Sequence, residues 1–505
     1  MTEERLTYRW KKQPYRHQVM AVKKLLSTGF GGALLMEPRT GKTKVAIDYL
    51  CILHKQGKVN RVLVFGPVSA LGVWEDELKE NVPDDIRYRL LIWDRKSRKS
   101  EDLPPVGQDI LDFVIVNYDS LSTPGRVIGR GDKGELKRSK SRGGRYDIKK
   151  KIKRWQPQAI VLDESHRIKS PSAKKTTAIH SLREIPDYRL LMTGTVVTKK
   201  KRIFDIYAQW KFLNDKRFAG MTFADFKAMY GLWRARENYS QWIGNKNEDD
   251  LHDKIHHDSF AITREECYDL PKFTPVIHRV DLEESAQVYD QMAEDMVARI
   301  KTGEITEASI RLVQRLRLQQ ITSGLAKTAP SSEHPEGRLV IIGSEKLRMI
   351  RDRLEDLLEA DEKVVIGALF RPDIARLEAM LKKMRVPTFV IKGGMKTHDR
   401  ERSRRQFPKV KGGAVLIGQP AAAGEAIDLS CASIMLWYSL TSSWVNFRQF
   451  SDRIALSDKP TFHEYFLARG TVDEMMYETL LEDGDIGKKM ITSPERLLRL
   501  QEQAS

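Results

Sequence analysis

The apolar run Gly31–Met36 ends directly in Glu37-Pro38-Arg39-Thr40-Gly41-Lys42-Thr43, and helical spacing begins at once over Lys42–Leu53. No other junction constrains the fold as much. A wholly apolar strand that feeds a helix through a glycine turn belongs in a sheet covered on both faces, which means a parallel α/β sheet. The turn also carries chemistry. Amides at a helix N-terminus attract an anion, a lysine there pairs with β- and γ-phosphates, and the next hydroxyl reaches magnesium. Arg39, Thr40, Gly41, Lys42 and Thr43 are therefore candidates to hold a nucleoside triphosphate. Met36 stands where such loops usually have their first glycine.

About 120 residues later comes Val161-Leu162-Asp163-Glu164-Ser165-His166, an apolar run ending in two acids. Asp163 is placed to hold a metal ion, and Glu164 to polarise an attacking water. Two acids that merely cap the next helix are the bland alternative. Acid pair and phosphate loop in this order point to an NTP-hydrolysing motor.

Composition narrows the partners. With 505 residues, two domains of ordinary size are expected. The balance of 87 basic and 69 acidic side chains gives a net charge of +18, which favours a polyanion, most simply nucleic acid. Between Arg126 and Arg154 thirteen Lys/Arg face three acids, Asp132, Glu135 and Asp147. This basic loop is expected to touch DNA; a solvated loop is the alternative. No apolar run approaches the ~18 residues that span a bilayer. The N-terminal residues lack the apolar core of a signal peptide, and Cys51, Cys267 and Cys431 are scattered without a CxxC pair. An intracellular protein without structural zinc is the expectation.

Further strands are expected at Arg61–Phe65, Phe113–Val116, Ala159–Leu162 and Arg189–Met192. Ile203, Ile206, Tyr207, Trp210, Phe223, Phe226 and Tyr230 recur at helical spacing, giving an expected helical subdomain with an aromatic core. A second alternating series has strands at Thr274–Val280, Val364–Phe370, Thr388–Ile391, Ala414–Gly418, Ser433–Tyr438 and Phe462–Leu467. Its helices are expected at Ser344–Leu358 and Pro372–Lys383, and a loop at Thr328–Gly337.

In these stretches the chain resembles superfamily two helicases, and most closely their Swi/Snf-like branch. Leu35–Thr43, Val161–Ser170 and Arg189–Thr195 resemble the first three main motifs. Narrower likenesses are Val62–Pro67 followed by Trp74-Glu75-Asp76-Glu77-Leu78, Phe113–Leu121 (FVIVNYDSL), His166–Ser170, and the link Phe260–Pro271 with Val280–Leu282. The likeness runs from Pro14–Gln18 to about Leu480 and is closest to compact phage or bacterial members. It implies that Gln18 reads adenine, that His166 links nucleotide state to Thr193-Gly194-Thr195, and that Asn117, Tyr118 and Thr193 meet nucleic acid. In the second half, Val364–Arg371, Gly393-Gly394 with Arg400 and Phe407, Leu416–Leu429, and Gln449 to Arg453 resemble the later motifs. The resemblance puts Arg400 on nucleic acid, Gly424 near the phosphates, Asp428 near the ribose, and Gln449 with Arg453 among the catalytic groups. Three departures stand out: Val196 for the family's proline, Lys199 for its asparagine, and Leu456 for its second arginine.

The expected fold is α/β, two RecA-like parallel-sheet lobes in tandem with an ATP cleft between them. Residues 1–268 form the first lobe, with a basic insertion at 124–154 and a helical segment at 199–260; residues 269–505 form the second. Expected catalytic residues are Glu164, Asp163, Lys42, Arg453 and Gln449, with Thr43 and Asp163 on the metal. Expected cofactors are ATP and Mg2+. Nucleic-acid contacts are expected from Asn117, Tyr118, Thr193, Lys137, Arg138, Lys140, Arg142 and Arg400. The expected activity is ATP-driven movement along duplex, single-stranded or branched DNA, with strand separation or branch migration as outputs. The protein is expected to be a cytoplasmic monomer, in a bacterial or phage-infected host cell, with no membrane partner. An RNA-directed helicase and an ATP-gated DNA clamp without turnover, motivated by Leu456, are the alternatives.

Overall fold

The computed structural model describes residues 8–67, 70–93, 102–105, 107, 109–122, 127–130, 136–138, 148–196, 203–235, 240–267, 274–301, 308–328, 338–424, 429–454 and 460–491. The chain divides into two compact units, Met1–Asp269 with Asp485–Ser505, and Leu270–Gly484.

In the first unit the strands are β1 (Gly31–Met36), β2 (Arg61–Gly66), β3 (Tyr88–Ile92), β4 (Leu111–Asn117), β5 (Val127–Arg130), β6 (Leu136–Arg138), β7 (Ala159–Asp163), β8 (Tyr188–Thr193), β9 (Gly231–Ala235), β10 (Ser240–Asn245) and β11 (Ser259–Ile262). Seven form one parallel sheet in the order β11-β1-β8-β7-β2-β4-β3. Side chains alternate across a strand, so the apolar runs feed two cores. Leu63, Phe65, Val114 and Val116 face one, whereas Val62, Val64, Phe113 and Ile115 face the other. This is why the central strands read as unbroken apolar runs.

The expected helical segment after β8 holds helices Asp205–Leu213, Phe223–Tyr230 and Glu248–His257. It also holds strands, which corrects the expectation. β9 and β10 make an antiparallel hairpin with Trp233 opposite Trp242, and β11 joins the main sheet beside β1. The expected aromatic core is present: Tyr207 lies 5.3 Å and Tyr230 4.7 Å from Phe226, ring centre to ring centre. The basic segment is not simply a loop either. β5 and β6 pair antiparallel, and Ile148–Trp155 is a helix that buries Ile152 and Trp155.

The second unit has β12 (Thr274–Val280), β13 (Leu325–Lys327), β14 (Leu339–Ile341), β15 (Lys363–Gly367), β16 (Thr388–Ile391), β17 (Ala414–Gly418), β18 (Ile434–Trp437) and β19 (Phe462–Ala468). Six form a parallel sheet, β12-β19-β18-β15-β17-β16. Val365, Leu416, Met435 and Trp437 pack on one face, and Val364, Ile366, Val415 and Leu436 on the other. β13 and β14 form a hairpin at the ends of the expected loop. Each unit is thus α/β with a parallel sheet. No helix among the described residues is long and apolar enough to cross a membrane.

Candidate nucleotide site

In the first sheet β8 lies between β1 and β7, so the carboxyl ends of all three strands are neighbours. Ligands of open α/β sheets settle at that edge. Leu35 of β1 stands opposite Thr193 of β8, and Asp163 of β7 opposite Met192. Phosphate loop and acid pair, far apart in sequence, meet across this one intervening strand.

Beyond Met36 the backbone turns left-handed at Arg39 (φ 69°) and Gly41 (φ 82°). The left-handed φ at Gly41 favours glycine, and a Cβ there would lie 2.2 Å from Gln18 Nε2, which would have to move. Helix Lys42–Lys55 starts there and is buried from Lys44 to Leu53, which fixes its N-terminus against the loop. Lys42 Nζ donates to the Met36 carbonyl at 2.8 Å and the Glu37 carbonyl at 3.2 Å. The buried Thr40 donates its hydroxyl to the Glu37 carbonyl at 2.8 Å. Thr43 is half-buried in the first turn of the helix.

His17 Nε2 sits 2.9 Å from the Thr40 carbonyl oxygen, and Gln18 Nε2 donates to that oxygen at 3.3 Å. The Tyr15 amide donates to Gln18 Oε1 at 3.0 Å. Gln18, expected on the adenine edge, here bonds the loop through Nε2 and caps its own helix through Oε1.

Asp163 Oδ2 accepts from Trp74 Nε1 at 3.0 Å, and its backbone carbonyl accepts the Tyr118 hydroxyl at 2.8 Å. Burial and the adjacent Glu164 charge push the Asp163 carboxyl up to about 6, against the Trp74 bond and the Lys42 cation. A nearby divalent charge reverses that cost of ionisation. An Asp163 carboxylate and a Thr43 hydroxyl are the hard oxygen donors that Mg2+ takes beside phosphates and water, so the residues fit that ion.

Glu164 is itself left-handed, at φ 53°. Its Oε2 lies 3.3 Å from His166 Nδ1, which lies 3.3 Å from Thr193 Oγ1. That hydroxyl donates to the Thr195 carbonyl and accepts from the Thr195 amide, both at 3.0 Å. A Cβ on Gly194 would stand 2.7 Å from Pro38 Cδ, so the loop after β8 packs on the phosphate loop.

Of the residues expected at nucleic acid, two lie inside the fold. Tyr118 and Thr193 are 1% and 0% exposed, and they brace the acid pair from inside. Asn117 is half-buried and accepts the Asp119 amide at 2.7 Å. Lys137 and Arg138 lie on β6; Lys140 and Arg142 lie outside the described residues.

In the second unit the Arg453 guanidinium donates through Nε to the Gly424 carbonyl at 2.9 Å and to the Gln449 carbonyl at 3.1 Å. A Cβ on Gly424 would meet the Pro420 carbonyl oxygen at 2.7 Å and Gln449 Cβ at 3.3 Å. Arg400 donates to the Ala422 carbonyl. Gly424, Gln449, Arg453 and Arg400 therefore gather around one segment, while Asp428 and Leu456 lie outside the described residues.

Sequence reasoning assigned no role to Trp74 or Glu37. Glu37 Oε2 accepts the Arg264 amide at 3.0 Å, and the Glu37 amide donates to the Ile262 carbonyl at 3.1 Å, tying the loop to β11. Trp74 could have been found as an amphipathic ring within an otherwise acidic helical stretch.

Comparison with known proteins accords with this geometry. Residues 15–325 match the SNF2-related domain, and residues 345–455 the helicase conserved C-terminal domain. The putative ATP-dependent helicase/translocase YwqA of Bacillus subtilis is 22% identical over 494 residues, covering 95% of this chain and 48% of that protein. The ISWI chromatin-remodeling complex ATPase CHR11 of Arabidopsis thaliana is 22% identical over 83% of this chain and 37% of that protein. This chain thus spans less than half the length of either. Among solved structures, the Sulfolobus solfataricus SWI2/SNF2 ATPase core in complex with dsDNA aligns with a TM-score of 0.41 at 19% identity, covering 97% of each chain. The SNF2-related match takes in well over half of the sequence, and the chain belongs to the SNF2-related family.

Proposed function

We propose that this protein hydrolyses ATP and uses the cycle to move along DNA. One observation carries the reading: Lys42, Asp163, Glu164, His166 and Thr193 converge on a single sheet edge. On binding ATP, Lys42 exchanges the Met36 and Glu37 carbonyls for phosphate oxygens. Asp163 and Thr43 would hold Mg2+, which supplies charge neutralisation at the phosphates. Glu164 orients and polarises the attacking water, and His166 passes the change to Thr193. In the second unit, Arg453 serves as the finger that balances developing charge, after leaving the Gly424 carbonyl.

DNA as the track is supported by the net charge of +18 and by the basic segment Arg126–Arg154. Contacts of this kind go to phosphates and give affinity without sequence reading. Strand separation and branch migration are outputs that the same movement would allow. The test is the ATP hydrolysis rate with no nucleic acid, then with single-stranded, duplex and branched DNA and duplex RNA, at one salt concentration. Stimulation by DNA above that by RNA is expected. A rate indifferent to every nucleic acid contradicts the reading.

A further inference from the structure

Helix Asp205–Leu213 buries Ile206, Tyr207, Ala208, Trp210, Phe212 and Leu213, and among them an amide, Gln209, at 0% exposure. A buried amide is costly unless both its ends are paired, and here they are. Gln209 Oε1 accepts the Ser165 hydroxyl at 2.7 Å. Gln209 Nε2 donates to the Val196 carbonyl at 3.1 Å and to the Asp205 carbonyl at 3.0 Å. The reverse orientation would set the amide oxygen against two carbonyls, so the pattern has one solution.

The partners matter. Ser165 follows Glu164, and Val196 follows Thr195. One side chain thus spans the acid-pair turn and the loop after β8, by a route separate from the His166–Thr193 contact. Its helix also carries Tyr207, whose ring lies 5.2 Å from Phe223 and 5.3 Å from Phe226. The next helix leads directly into the β9–β10 hairpin.

We infer that Gln209 is a positioning residue that transmits nucleotide state from the Glu164–Ser165 turn to the Gly194–Val196 loop and, through its helix, to the aromatic subdomain. The inference rests on the proposed ATPase reading. Any shift of Glu164 toward a bound γ-phosphate displaces the Ser165 hydroxyl. That hydroxyl draws Gln209, and the amide carries Val196 with it. Beyond Glu164 the chain of contacts is close-packed, since Ser165, Gln209 and Val196 are all buried.

The test compares the parent with Gln209→Leu, which keeps the volume and removes all three bonds, and with Ser165→Ala and the double variant. Hydrogen exchange of the amides at 193–196 is read with and without a non-hydrolysable ATP analogue. The parent should show nucleotide-dependent protection there, and Gln209→Leu should lose it while analogue affinity, read by fluorescence, stays within about twofold. DNA-stimulated hydrolysis should fall about tenfold in each single variant, the size of one buried hydrogen-bonded pair, and no further in the double. Retained protection in Gln209→Leu, or losses that multiply in the double variant, overturns the inference, as does a parent that binds analogue without any change at 193–196. If Gln209→Leu fails to fold, Ser165→Ala gives the same protection readout. A parent that binds no ATP analogue instead overturns the ATPase reading itself.

Discussion

Lys42→Ala offers a loss of affinity whose size the structure sets. The ammonium is already engaged, at 2.8 Å from the Met36 carbonyl oxygen and 3.2 Å from that of Glu37. Binding a triphosphate exchanges these two bonds for a charge pair. At about 4 Å and an effective dielectric near 20, such a pair contributes about 4 kcal/mol. Giving up two bonds to neutral carbonyls costs about 1 kcal/mol each, or about 2 kcal/mol together. The net contribution is about 2 kcal/mol, so the variant should bind about thirtyfold more weakly. The assay is titration with a fluorescent ATP analogue, alongside a thermal melt to show that the loop still folds. The deficit should shrink as salt is raised, because the pair is partly exposed. An affinity within about threefold of the parent removes Lys42 from the phosphates.

Glu164→Gln should bind ATP as the parent does yet hydrolyse it at least about a hundredfold more slowly, the usual range for a lost general base; phosphate release at the parental rate removes that role. Arg453→Ala should lower DNA-stimulated single-turnover hydrolysis by about 10³ with ATP binding retained, and parental speed assigns the finger to another residue. A fourth outcome concerns pH. Burial alone would raise the Glu464 carboxyl, but its bonds to His278 (2.7 Å) and Arg353 (2.7 and 2.9 Å) outweigh this and hold it at about 2. Because the folded value is depressed, the stability it confers is present above the ordinary glutamate value of about 4.3 and is lost as pH falls toward 2. Arg353→Met should therefore cost about 1.5 kcal/mol in urea denaturation at pH 7, because the guanidinium is partly exposed and His278 still bonds Glu464, with a smaller deficit near pH 3; a deficit independent of pH assigns the loss to packing.

Strands buried on both faces were the most directly legible in the sequence, although Thr274–Val280 and Thr388–Ile391, at the edges of the second sheet, were legible too. Gly31–Met36, Arg61–Phe65 and Ala414–Gly418 read as strands because each is an unbroken apolar run, and each is one. Tyr88–Ile92 and Ser259–Ile262 lie at the two edges of the first sheet, where half-exposed positions interrupt the run, so periodicity did not reveal them. Trp233 and Trp242 pair across a hairpin by a contact between strands that no window along the chain can contain.

Of the site, the ends of β1 and β7 were legible because phosphate and metal chemistry demand particular residues there. What spacing could not show is depth. Asn117-Tyr118 reads as a loop that meets DNA, yet Tyr118 turns inward and donates to the Asp163 carbonyl. Gln209 was equally hidden. One polar residue in an apolar helix becomes meaningful only when Ser165 and Val196 are found at its two ends.

Movement itself is the claim on which the account stands. A third strand annealed to duplex DNA and followed by gel or fluorescence is displaced only by something that travels along the duplex. With ATP and Mg2+ the protein should strip that strand, and neither a non-hydrolysable analogue nor Glu164→Gln should support displacement. DNA-stimulated hydrolysis that leaves the third strand in place would contradict translocation and reduce the protein to an ATP-driven clamp.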